Sequence, residues 1–177
     1  MSKALAERLN ALYVSLTDIV KNGNLILGVD EERETLITDL AKLSKRVKEI
    51  ICSSLSDVII EGHYSADVVP SNLASYVFVL RRDPDDLKDK LEERGFKEKK
   101  ILENVAAEIL DVCLFNAIKK YSVEKVDEID MTNVNVEEAV KEILQVLDGQ
   151  KPMNVGKVDW LGKLEGEGRL EEFLNQD

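Results

Sequence analysis

Histidine and tryptophan each occur once in these 177 residues, cysteine twice and proline three times. Cys52 and Cys113 have neither CxxC spacing nor a histidine nearby, which argues against a zinc site or a disulfide. Both fall in apolar helical surroundings and are expected to be buried free thiols, which suits a cytoplasmic protein. No stretch approaches the roughly 20 apolar residues needed to span a bilayer. The opening "MSKALAERLN" is interrupted by Lys3, Glu7, Arg8 and Asn10, unlike the apolar middle of a secretion signal. Basic runs are also missing: 24 Lys and Arg face 35 Asp and Glu, for a net charge of −11. That balance disfavours direct, nonspecific DNA or RNA binding, no direct sequence-specific nucleic-acid contact is expected, and a basic protein partner suits it instead. No internal repeat is present.

What the chain does contain is an alternation of two periods. "DVIIE" (57 to 61) and "YVFVL" (76 to 80) are short, β-branched and aromatic, and barely alternate, as strands covered on both faces do. "LYVSL" (12 to 16) and "KVDEID" (125 to 130) add two further strands. Helical spacing links Leu36, Ile37, Leu40, Leu43, Val47, Ile50 and Ile51, and again Val136, Val140, Ile143, Leu144 and Leu147. Strands alternating with helices predict an α/β fold with a parallel sheet flanked by helices. Asp83 before Pro84 reads as an N-cap with proline at the first helical position, and Asn135 with Glu138 as a capping box. From Gly149 the charged, glycine-containing stretch is expected to form a tail, 149 to 177, docked through Trp160 and Leu161.

Ligands of open α/β sheets bind beyond the carboxyl ends of strands. Glu61, Gly62 and His63 stand at such an end. A carboxylate there holds magnesium directly or through water, and an imidazole orients a water or a phosphate; the alternative for His63 is an ordinary backbone hydrogen bond. The next strand ends in Arg81 and Arg82, two guanidiniums that could grip a phosphate through paired donors, unless at least Arg82 pairs with surface acids. Further on, "RGFKEKK" (94 to 100) places Arg94 and a lysine cluster ahead of a helix that is acidic on one side.

Taken in order, "EGHYSADVVP", the run "YVFVLRRDPDDLKDKLEERGFKEKKILENVAAEILDVC" and the late "EIDMTNVNVEEAV" closely resemble the adenylate kinase isoenzyme 6 family, adenylate kinases with ATPase activity that assist maturation of the small ribosomal subunit. The resemblance covers about residues 2 to 148 and is most specific from Tyr76 to Cys113. It implies a P-loop nucleoside-monophosphate-kinase fold over 1 to 148, ATP and Mg2+ as cofactors, AMP as second substrate and a platform protein of the small subunit as partner. It makes about 15 to 38 the monophosphate-binding segment, opened by Asp18, and about 93 to 103 a lid whose Arg94 meets the ATP phosphates. Glu61 and His63 fall on the family's Asp-x-His signature, with glutamate in place of aspartate and a role toward magnesium. Arg81 is the further candidate for phosphate.

The family begins with a central strand and a G-x-x-x-x-G-K-[ST] loop whose backbone N–H groups and lysine cradle phosphate. Neither occurs in these residues, and the missing strand would lie between those at 57 to 61 and 76 to 80. The favoured expectation is a true start codon upstream of Met1; the alternative is a natural loop-free protein acting in ribosome assembly without hydrolysis. As written, the 177 residues are expected to give no measurable binding when titrated calorimetrically with Mg-ATP, because each charge-assisted phosphate bond is worth about 1.5 to 3 kcal/mol and several are gone. Upstream DNA in the same frame should encode an apolar strand and the loop; an in-frame stop codon immediately before Met1 overturns that expectation.

Overall fold

A computed structural model describes residues 1–30 and 35–174. The elements run α1 (Ser2–Leu9), β1 (Leu12–Ser15), α2 (Leu16–Asn22), β2 (Ile26–Asp30), β3 (Thr35–Thr38), α3 (Leu40–Ser53), β4 (Val58–Glu61), α4 (Ser65–Val68), β5 (Val77–Arg81), α5 (Pro84–Glu93), α6 (Glu98–Ile109), α7 (Val112–Tyr121), β6 (Val126–Asp130), α8 (Val136–Leu147), α9 (Trp160–Gly166) and α10 (Leu170–Leu174). They group into two compact units, Met1–Ser75 with Val136–Leu144, and Tyr76–Asn135 with Gln145–Asp177. No helix of the described residues is long and apolar enough to cross a membrane.

In the first unit β1 and β4 pair in parallel from Leu12↔Val58 to Ser15↔Glu61. The strand becomes helix without a loop because Ser15 caps α2, its hydroxyl accepting the Asp18 N–H at 3.3 Å. Asp39 caps α3 in the same way, its carboxylate accepting the Lys42 N–H at 3.0 Å, and α3 then buries Leu43 and Val47 one turn apart. Two expectations are corrected in this unit. Leu36 and Ile37 do not open the helix; they lie in β3, which pairs antiparallel with β2 in a hairpin that the helical spacing concealed. Cys52 is free, as expected, but exposed, on the outward side of α3. Residues 31 to 34 of the monophosphate-binding segment lie outside the described residues.

In the second unit β5 and β6 pair in parallel from Val77↔Val126 to Arg81↔Asp130. The expected cap of α5 is present: Asp83 accepts the Asp85 N–H at 3.0 Å ahead of Pro84. The helix ends where Gly95 (φ +75°) donates to the Glu92 carbonyl at 2.8 Å and Phe96 to that of Leu91 at 3.2 Å, the paired bonds of a Schellman turn that require a left-handed residue. Full cover of both strand faces is not found on β5, where Tyr76 and Leu80 are 47% and 41% exposed on the face opposite Val79 and Arg81. Each parallel ladder has two strands among the described residues. Cys113, on α7, is likewise free but exposed.

The segment after Gly149 is built into this unit. Trp160, Leu164 and Phe173 share a core with Leu91, Ile101, Val105 and Ile109 of α5 and α6, whereas Leu161, paired with Trp160 in the sequence expectation, is 39% exposed. Trp160 Nε1 donates to Glu108 at 2.9 Å, Lys163 Nζ reaches Asp83 at 2.6 Å, and Arg169 grips Asp85 with two bonds of 2.8 and 3.0 Å. These bonds to Arg169 hold the Asp85 carboxyl below the usual carboxylate range.

Beneath them lies a buried ionic network. Asp127 and Glu128 of β6 are fully buried, and Arg81, 1% exposed, meets Glu128 at 2.5 Å, Glu108 at 2.8 Å and Asp111. The backbone N–H groups of Gly156 and Lys157 complete Glu128, while Asp127 takes Asn154 N–H at 2.8 Å and Lys157 Nζ at 2.9 Å. Removing one partner of a buried pair strands the other charge, at about 3 to 5 kcal/mol. Arg81→Met is therefore expected to lower the melting temperature by roughly 10 °C, measured by thermal denaturation followed by circular dichroism; an unchanged midpoint contradicts the network's role.

Candidate functional site

The carboxyl edge of the β1/β4 ladder holds two of the sequence candidates, Glu61 and Asp18, with His63 just beyond it. Ser15 and Glu61 are register partners at the last rung, and Asp18 stands one helical turn beyond Ser15, exposed, in the first turn of α2. Tyr13 lies two residues back on β1, on the same face as Glu61 because side chains repeat every second residue. Its hydroxyl donates to Glu61 Oε1 at 2.5 Å, and the Lys3 ammonium sits 5.4 Å from its ring centroid. The bond to Glu61, burial and the negative charge of Glu61 push the Tyr13 phenol above its ordinary pKa; the Ser15 hydroxyl pulls it the other way and Asp18 adds a small push upward. Glu61 Oε2 has no hydrogen-bond partner among the described residues.

The chain leaves this edge through Gly62 at φ +147°, a backbone state open to glycine and costly for other residues. A Cβ there would also lie 2.9 Å from the Leu16 Cβ. His63 follows in an exposed turn with no hydrogen bond or ion pair among the described residues, and Ser65 closes the turn by donating to the Gly62 carbonyl at 2.6 Å. The ordinary backbone hydrogen bond weighed for the His63 side chain is therefore not made.

The second unit holds the two arginine candidates, in opposite surroundings. Arg94 is the exposed cap residue of α5, directly before Gly95, and no side-chain hydrogen bond or ion pair holds it among the described residues. Arg81 faces inward. Its guanidinium donates to three carboxylates and, at 3.1 Å, to the Glu108 carbonyl, so its donor fork is taken up by the protein in the core of the unit, which leaves no N–H pair open of the kind the sequence expectation asked for. Arg82 pairs with Asp86 one turn along α5, as the surface alternative anticipated.

Among the described residues no group of three or more His, Cys, Asp and Glu side chains is placed to hold a metal ion. Magnesium does not ask for one: at nucleotide sites it takes one or two carboxylates, keeps several waters and binds the substrate's phosphates. A half-buried glutamate with one oxygen tied and the other open fits that pattern. Sequence reasoning missed Tyr13, although its parity with Glu61 follows once the two strands are paired in register.

Residues 1–111 match the family model described as AAA domain, a class in keeping with a parallel α/β ladder and acidic groups at its carboxyl edge. Curated relatives narrow the class. A protein of Methanocaldococcus jannaschii named "Putative adenylate kinase" is 40% identical over 163 residues, covering 92% of this chain and 86% of its own length. Proteins of the same name from Methanococcus maripaludis (36% over 148 residues, 84% of this chain and 77% of theirs) and Archaeoglobus fulgidus (33% over 181 residues, 98% and 92%) agree. The chain belongs to the family that carries this name.

Gly62→Ala should cost about 1 to 3 kcal/mol through backbone strain alone, before the contact with Leu16 is counted. Urea denaturation measures it; a midpoint equal to that of the parent protein means that the turn relaxes freely.

Proposed function

We propose that this protein is a nucleoside monophosphate kinase of the isoenzyme 6 type, transferring a phosphoryl group from ATP to AMP, hydrolysing ATP as a second activity and working on the small ribosomal subunit beside a basic platform protein. The observation that carries the reading is the placement of Glu61: a carboxylate at the end of a parallel strand, with one oxygen fixed by Tyr13 and the other open.

Four side chains carry the roles. Glu61 would hold magnesium or its waters, and magnesium, when bound, would neutralise phosphate charge. His63, exposed just beyond Gly62, orients a water or a phosphate oxygen. Asp18 opens the monophosphate-binding segment and receives the AMP side. Arg94 has an unengaged guanidinium on a turn fixed by Gly95, and it stabilises the charge spread over the transferring group. Catalysis in such a site is mainly positioning and electrostatics, so its groups lower the barrier without forming covalent bonds.

A second reading, an assembly protein that turns over ATP only as a switch or not at all, draws on the net charge of −11, which suits a basic partner. The two readings part on AMP. In protein purified from its own cells, ADP formation should depend on AMP, and Arg94→Ala should lower kcat about a hundredfold, roughly 3 kcal/mol, while KM for AMP changes little. Turnover indifferent to AMP supports the switch, and an unchanged kcat removes Arg94 from the site.

A further inference from the structure

We infer that Tyr13 is a positioning residue that selects one arrangement of the Glu61 carboxylate, tying Oε1 and turning Oε2 toward the magnesium nucleotide. The inference rests on the reading of Glu61 given above and adds a residue to it. Glutamate has one more rotatable bond than the aspartate of the related signature, and a carboxylate at an open strand edge would otherwise spread over several rotamers. Tyr13 removes that freedom at little cost of its own, since its ring has two torsions and grows from the middle of β1.

The geometry is specific. Tyr13 is the register partner of Ile59, so Glu61 lies diagonally ahead of it on the same face, at a reach that a phenol spans and a shorter hydroxyl would not. Lys3 places its ammonium over the ring on the same side of the ladder, and Ser15 and Asp18 are the other polar groups that act on the phenol. Partners that orient a metal's carboxylate in this way are usually worth 10- to 100-fold in metal affinity.

The test compares Tyr13→Phe, Glu61→Gln and the double variant, introduced at the gene's own locus and purified from its own cells, together with Glu61→Asp and its combination with Tyr13→Phe. Water proton relaxation with Mn2+ and ATP should show metal retention weakened about tenfold by Tyr13→Phe, and by a similar or larger factor by Glu61→Gln, with the double variant no worse than Glu61→Gln alone, because the two side chains act as one unit. In the Glu61→Asp background, where the carboxylate is withdrawn by one methylene, Tyr13→Phe should change retention less than about twofold. Retention indifferent to Tyr13→Phe, or losses that simply multiply, overturns the positioning role while leaving the kinase reading intact. Parent protein that retains no Mn2+ with ATP removes the kinase reading, and the metal-directed role of Tyr13 falls with it.

Discussion

Burial of the Glu128 carboxylate inside β6 is the constraint from which much of the second unit follows. A lone carboxylate in such a place would be neutralised or expelled. Here it is matched by Arg81 from the neighbouring strand and by two backbone N–H groups from the segment beyond Gly149. Because Arg81 also draws in Glu108 and Asp111, one cation fixes β5 against β6, the end of α6 and the entry to α7. Glu108 in turn receives the Trp160 indole, which seats α9. Replacing such a network by apolar side chains of equal volume is often neutral for stability, so its value here lies in specifying which segments meet.

The two clusters of polar residues show how position changes the meaning of a charged side chain. Arg81 and Arg94 are both arginines near the ends of regular elements. One is enclosed by three carboxylates, and the other stands in solvent on a turn set by glycine. Glu61 and Glu128 differ in the same sense: the first keeps an oxygen without a protein partner, and the second has both oxygens engaged. The groups free to meet a ligand are those whose hydrogen-bonding capacity the fold has left open.

Much of the fold was legible in the sequence because the strands at 12 to 16, 57 to 61, 76 to 80 and 125 to 130 carry β-branched residues in short runs, and all four form within a residue or two of those limits. The β2/β3 hairpin was not, since Leu36 and Ile37 also continue the helical spacing of α3, and Leu27, Val29 and Ile37 leave apolar side chains exposed where alternation would predict polar ones. Parity was the neglected signal at Arg81. Val77, Val79 and Arg81 share one face of β5, so a strand that buries Val79 must carry Arg81 inward and turn Arg82 out. Asp127 and Glu128 gave no hint of burial, because their partners come from distant parts of the chain, Arg81 on one side and residues 154 to 157 on the other. At the candidate site Glu61 and His63 were legible at the carboxyl end of a strand and Arg94 in a basic turn, Asp18 came from the family resemblance alone, and Tyr13 required the register of two strands.

The way each unit closes on itself sets an order in time. The first unit takes in Val136–Leu144, and the core of the second is completed by Trp160, Leu164 and Phe173, which a ribosome makes after every other member of that core. Neither unit can therefore finish folding as the preceding chain emerges, although nascent domains often do. Helices α5 and α6 leave the ribosome with an apolar seam awaiting its cover, so an association-prone surface is open during synthesis while the residues of the candidate site are already made and the closing segments are not.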